Sequence, residues 1–166
     1  GAIFGTTGGV MEAALRTAAD ILEGRDLKKF EYKAVRGNNG RKETIMEIAG
    51  NKIKAVVVNG LINAKEVMDE IRSGQADYQF VEVMACQGGC VMGAGQPIED
   101  LETRNKIDVR KLRAEALYTI DEKSVVRKAH KSPIIQHIYS EFFGKPGSKI
   151  AEKYLHIEYA KKNFEP

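Results

Sequence analysis

A chain of 166 residues, 43% of them hydrophobic and 30% charged, suffices for one ordinary domain that buries about two-thirds of its unfolded surface, which excludes a wholly disordered polypeptide. Its formal net charge of +3 is too small for a dedicated polyanion binder, so no nucleic-acid partner is expected. No apolar run approaches the ~18 residues of a membrane span, and the opening lacks the charged-then-apolar order of a secretory signal, so a soluble protein with no membrane span is expected.

The chain opens at Gly1 with GAIFGTTGGV, which reads as mid-domain sequence, so a piece of something larger is expected. Met11, Ala14, Leu15, Ala18 and Leu22 fall at helical spacing and predict an amphipathic helix from residue 8 to about residue 23, aimed by the GTTGG turn. Phe30–Arg36, Thr44–Ala49 and Lys52–Val58 read as strands, with Gly50-Asn51 as a two-residue hairpin turn between the last two. Asn63 with Glu66 forms a capping box for a short helix that Gly74 stops. Residues 78–84, YQFVEVM, have strand composition and run into ACQGGCVMGAGQP, residues 85–97. Strand, helix, strand, loop is an α/β pattern, and open α/β sheets bind ligands at the carboxyl ends of their strands.

Beyond Pro97 the character changes: residues 1–100 hold 12 basic and 14 acidic side chains, residues 101–166 hold 14 and 9, so a basic helical tail is expected. Asp108 caps one helix. Ser132-Pro133 opens a second, with Ile135, Ile138 and Phe142 inward and Gly144 as terminator, and Ser148 starts a third. The expected architecture is therefore α/β, a small sheet flanked by helices with a helical carboxyl-terminal tail. The chain is read as a single domain, residues 1–100 being the α/β lobe that carries the cysteine loop and 101–166 the tail. Lys123, Arg127, Lys128 and Lys131 are read as a solvated helix face, against the alternative of a patch docking an acidic partner.

Cys86 and Cys90 are the only cysteines, too close together for a useful disulfide framework. They point to a reducing, cytoplasmic compartment and to thiols with a task. Thiolates are soft ligands for iron–sulfur clusters, zinc or copper(I). Gly88, Gly89, Gly93 and Gly95 let the backbone approach a bulky anionic cluster and turn N–H groups towards it. Zinc fits less well, since its knuckles favour a two-residue spacing and four ligands while His130, His137 and His156 sit in the tail. Two inert thiols beside a glycine turn, or a redox pair, stand beside the cluster reading.

FVEVMACQGGCVMGAGQP, residues 80–97, closely resembles the third signature of the [FeFe]-hydrogenase catalytic domain. GAIFGTTGGVMEAALRTA, residues 1–18, is similar to the block that precedes it in that family. ALYTID (116–121), HKSPIIQHIYSEFFGKP (130–146) and Tyr154–Tyr159 are similar to its closing helices, in the same order along nearly the whole chain. The resemblance implies one lobe of the hydrogenase domain. In it, Cys86 ligates the cubane [4Fe-4S] part of the H-cluster and Cys90 bridges cubane and diiron subcluster. Met84 and Phe4, with the Gly5 backbone, pack against the diiron site; ordinary core packing is the alternative for Met84 and Phe4. Implied partners are the missing amino-terminal part of the same hydrogenase and an electron carrier, ferredoxin or an NAD(P)-linked subunit.

The family's two earlier signatures, with its other cluster cysteines, proton-relay cysteine and cyanide-binding lysine, have no counterpart here, so the chain alone is expected to be inactive. Ala94, where glycine is common, and Lys128-Ala129 before His130 also depart from the pattern. His130 and His156 are read as structural and Glu82 as solvated or salt-bridged, with a role beside the site as its alternative. A hydrogenase-like iron–sulfur assembly protein without hydrogen chemistry is the competing function.

Overall fold

Helix α1 (Gly9–Glu23) starts where the opening turn brings Gly8 to φ 84°, a left-handed conformation that favours glycine. A Cβ on Gly8 would also stand 2.0 Å from the Val35 carbonyl oxygen. The protein, a computed structural model, is described over residues 1–28, 31–36 and 40–158. The strand expected over Phe30–Arg36 begins outside those residues, and Lys33–Val35 forms a 3-10 turn instead, because Val35 is the residue the core takes, buried against α1.

Strands β1 (Arg41–Ile48) and β2 (Asn51–Asn59) form the expected antiparallel hairpin, with Ile48 opposite Asn51. Its turn residues are Ala49 and Gly50, at φ 50° and 74°, one position earlier than the expected Gly50-Asn51. Two-residue turns of this kind need positive φ at both places, and the Ile48–Asn51 register leaves Ala49 to supply one of them. Ala94 does not adopt such a conformation: Ala49 is the one non-glycine residue with positive φ among the described residues.

Helix α2 (Leu61–Arg72) crosses over to β3 (Phe80–Met84), which pairs parallel with β2 from Ala55–Phe80 to Asn59–Met84. The sheet order is β1-β2-β3. Asn63 is not the helix cap; Gly60 holds that position, and the Asn63 amide donates back to the Asn59 carbonyl at 2.7 Å. The central strand alternates: Ala55 and Val57 pack with Met11, Leu15 and Ala19 of α1, and Val56 and Val58 pack with Val67 of α2. Strands covered on both faces read as continuous apolar runs, and each fully buried valine contributes about 1.5–3 kcal/mol.

The neighbouring stripe of α1 is buried too, but by charge. Arg16 donates to both Asp121 oxygens at 2.9 Å and to Glu12 at 2.8 Å. Arg36 donates to Glu12 at 2.6 and 2.8 Å. Asp121 lies near the end of α4 (Val109–Lys123), which Asp108 caps as expected by accepting from the Lys111 amide. Arg127 donates to Asp121 and Glu31. The Lys128 ammonium, 5% exposed, meets both oxygens of Asp20 at 2.8 Å, Asp26 at 2.6 Å and the Leu27 carbonyl at 2.7 Å. Arg127 and Lys128 are thus internal ties, not a solvated face or a docking patch; Lys123 and Lys131 are exposed.

Two compact units divide the chain, Gly1–Lys128 and Ala129–Pro166. The first holds the sheet, α1, α2, α4 and the short α3 (Leu101–Lys106). In the second, α5 (Pro133–Ile138) widens into a π turn over Tyr139–Phe143 that ends at Gly144, φ 75°. Helix α6 (Lys149–Leu155) is capped by the Ser148 hydroxyl accepting from the Ala151 amide. Pro133 opens α5 as expected, while Ser132 makes no side-chain cap bond. Ile135, Ile138 and Phe142, expected inward, are exposed, and Ala151 alone is buried among the described residues of this unit. Two short helices cannot enclose a core of their own. No helix among the described residues is long and apolar enough to cross a membrane.

Candidate functional site

The cysteine loop leaves the carboxyl end of β3, the position the α/β pattern predicts. Its first anchor is Met84, whose carbonyl accepts from the Gly60 amide at 2.8 Å. The loop then tightens through Gly89 N–H to Cys86 C=O at 3.1 Å and closes in a 3-10 turn over Cys90–Met92, with Gly93 N–H donating to Cys90 C=O at 3.0 Å. Both thiols are free and exposed. They are not buried among the core residues. The Cys86 sulfur faces Gly93: a Cβ there would lie 3.9 Å from Sγ and 3.2 Å from the Cys90 carbonyl.

Gly89 is the point where the loop meets the opening turn. It sits at φ 87°, and a Cβ on it would stand 2.9 Å from both the Gly5 carbonyl and the Thr7 amide, and 3.1 Å from the Met84 sulfur. Gly5 and Met84, singled out separately in the sequence, are therefore brought together against one glycine, immediately before Cys90. Phe4, on the 3-10 turn Ala2–Gly5, is 43% exposed and Met84 is half-buried, so Phe4 is not a core residue.

Two further residues fix this geometry: Glu82, for which a role beside the site was the alternative expectation, and Arg113, which the sequence did not single out. Glu82 is neither solvated nor salt-bridged: it is 8% exposed, and its two carboxylate oxygens accept from the Gly8 and Met11 amides at 2.6 Å each. Burial pushes its pKa up, against the two amide hydrogen bonds, which pull it down. Strand parity carries the signal that finds it, because Glu82 shares a face with Phe80, which packs on the α1 core. Arg113 of α4 donates to the Val91 carbonyl at 3.1 Å, the Pro97 carbonyl at 2.7 Å and Glu99 at 2.9 Å, pinning the far side of the loop. No pattern in the sequence marks it.

The donor set is two soft thiols on a glycine-rich backbone, which suits an iron–sulfur centre. Among the described residues no group of three or more His, Cys, Asp and Glu could hold a metal ion, so the loop offers two protein ligands and no more. His130 and His156 lie in the second unit, Ala129–Pro166.

The family model for the C-terminal domain of the iron-only hydrogenase large subunit matches residues 1–94, and that for the iron hydrogenase small subunit matches residues 107–162. The chain belongs to the iron-only hydrogenase family. Iron hydrogenase 1 of Clostridium pasteurianum is 47% identical over 97% of this chain, which covers 28% of that protein. The fold matches the [FeFe]-hydrogenase of Chlamydomonas reinhardtii with a TM-score of 0.71 at 35% identity, over 94% of this chain and 45% of that one. Protein NAR1 of Arabidopsis thaliana is more distant, 29% identical over 95% of this chain and 33% of its own length. The chain thus spans about a quarter to a third of these curated relatives. The small sheet flanked by helices is the hydrogenase fold, and the hydrogenases are nearer to this chain than Protein NAR1 is.

Proposed function

We propose that this chain is the carboxyl-terminal part of an [FeFe]-hydrogenase that reversibly interconverts H2 with two protons and two electrons. The observation that carries the reading is the convergence at Gly89: the Gly5 backbone and the Met84 sulfur flank the segment between two exposed thiols. An H-cluster supplies, when bound, the hydrogen chemistry at its diiron part and electron relay through its cubane. Cys86 would hold the [4Fe-4S] cubane and Cys90 would bridge it to the diiron subcluster. Met84, Phe4 and the Gly5 backbone would form one wall of the diiron pocket and keep water from it. The backbone amides of the glycine turn would offset the charge of the anionic sulfurs.

With two thiols, the chain would furnish half of a four-thiolate cubane site. The remaining ligands would come from the amino-terminal part of the protein, and the chain would be inactive alone. A ferredoxin or NAD(P)-linked carrier in the cytoplasm would exchange the electrons. The assembly-protein reading has less support, since identity falls from 47% for the hydrogenase to 26% for the cytosolic Fe-S cluster assembly factor narfl of Danio rerio.

The test is Cys90→Ser in the full-length protein, matured anaerobically. Hydrogen evolution from a reduced dye is expected to fall to background while the unaltered protein turns over. Turnover near that of the unaltered protein in the variant, or none in the unaltered protein, would refute the reading.

A further inference from the structure

Glu82 lies four residues before Cys86 on β3, yet both its oxygens reach back to the first turn of a helix more than seventy positions earlier. Helix α1 needs them. Its cap position is Gly8, which has no side chain to accept the first amides, and a buried helix start without acceptors is costly. A carboxylate there also meets the positive end of the helix dipole. The Gly8 amide it binds follows directly on Thr7, whose own amide would lie 2.9 Å from a Cβ on Gly89. One side chain thus links the strand that carries the cysteine loop to the turn that carries Phe4 and Gly5.

We infer that Glu82 is a positioning residue: its carboxylate clamps the start of α1 to β3 and so holds the Phe4–Thr7 turn against Gly89 at the thiols. The inference deepens the hydrogenase reading and rests on it for its consequence, but the clamp is a property of the polypeptide. The other side-chain hydrogen bonds to the turn are weaker. Thr6 meets the Tyr118 hydroxyl at 3.0 Å, and the Asn59 amide reaches Thr7 at 3.3 Å; each is a neutral contact, whereas hydrogen bonds to a charged acceptor are roughly twice as strong. Loss of the Glu82 clamp is therefore expected to loosen residues 4–11 and the thiol loop before it unfolds the domain.

The experiment uses the full-length protein without cluster, as Glu82→Gln and Glu82→Asp. Val67→Ala, in the α2 core, serves as the control for lost stability alone. Glutamine turns an N–H group towards one of the two amides, and aspartate withdraws the carboxylate by one methylene. Amide hydrogen exchange across residues 4–11 should speed up at least about tenfold in Glu82→Gln. Val67→Ala, even with an equal fall in thermal midpoint, should leave that rate within about twofold. Exchange in Glu82→Gln that matches the Val67→Ala control would overturn the clamp. If Glu82→Gln does not fold, Glu82→Asp is read by the same rate.

In the cluster-loaded protein, the Glu82 variant should also shift the infrared bands of the diiron ligands, which Val67→Ala should leave in place. Absence of hydrogen turnover in the unaltered protein would sink the hydrogenase reading and leave the exchange result standing.

Discussion

Helix α1 has two buried faces built on opposite physics, and comparing them explains which parts of this fold are visible from sequence. One face, Met11, Leu15 and Ala19, packs on Val35, Ile48, Ala55 and Val57. The other, Glu12, Arg16 and Asp20, is just as buried, at 0%, 1% and 7% exposure. The apolar face gains from leaving water whatever its exact partners. The charged face gains only if every ion meets its counter-ion in good geometry, because desolvating a charge costs several kcal/mol. The apolar side should tolerate volume-conserving changes, whereas the ionic side is all-or-none. Asp121 shows the balance: burial pushes its pKa up, but the guanidinium groups of Arg16 and Arg127 hold it below the usual carboxylate range.

The largest expected effect is on the ionic side. Arg16→Ala in the full-length protein removes the buried cation that Glu12 and Asp121 share, leaving Glu12 to Arg36 and Asp121 to Arg127 alone, and chemical denaturation should show a loss of about 3 kcal/mol. A loss below about 1 kcal/mol would put the network in the class of surface ion pairs. Leu15→Ala, one position away on the apolar face, should cost about 2–4 kcal/mol through the cavity it leaves, and Leu15→Met less than about 1.5 kcal/mol. An Arg16→Met variant as mild as Leu15→Met would erase the contrast between the faces.

The smallest effect is a pH dependence of opposite sign at two buried acids. The folded pKa of Asp121 is depressed, so its contribution is present above the ordinary carboxylate pKa and lost as pH falls through the folded value. The folded pKa of Glu82 is raised, so the folded protein holds a proton that the unfolded chain releases as pH rises between the ordinary and raised values, and stability falls across that window. Denaturation midpoints against pH should therefore flatten on the acid limb in Asp121→Asn and lose the decline above the ordinary carboxylate pKa in Glu82→Gln. No change in either limb would remove the assigned titrations.

The same division runs through the candidate site. Cys86 and Cys90 were legible because two thiols among glycines are chemically rare, and the order of blocks along the chain pointed to the family. Met84 and Gly5 were legible only through that resemblance; their meeting at Gly89 is a matter of contact, settled by a glycine that a side chain could not replace. Glu82 and Lys128 were misread as solvated for one reason: a charge on a local segment is assumed to face water unless something distant neutralises it. Their partners lie 71–74 and 102–108 positions away respectively. The second unit reversed the error, since Ile135 and Phe142 have helical core spacing yet stay exposed among its described residues, Phe142 meeting only the Phe143 and Tyr154 rings among the aromatic contacts.

Sequence alone determined α1, the β1–β2 hairpin, the strand into the cysteine loop and the thiol pair, because periodicity, turn chemistry and ligand softness are properties of neighbouring residues. Only the tertiary structure decided that α1 is charged and buried at once, that Glu82 caps it from another strand, and that Gly89 joins the opening turn to Met84. Those outcomes depend on how distant charges and backbones meet in a medium that water no longer screens, and no local pattern encodes that meeting.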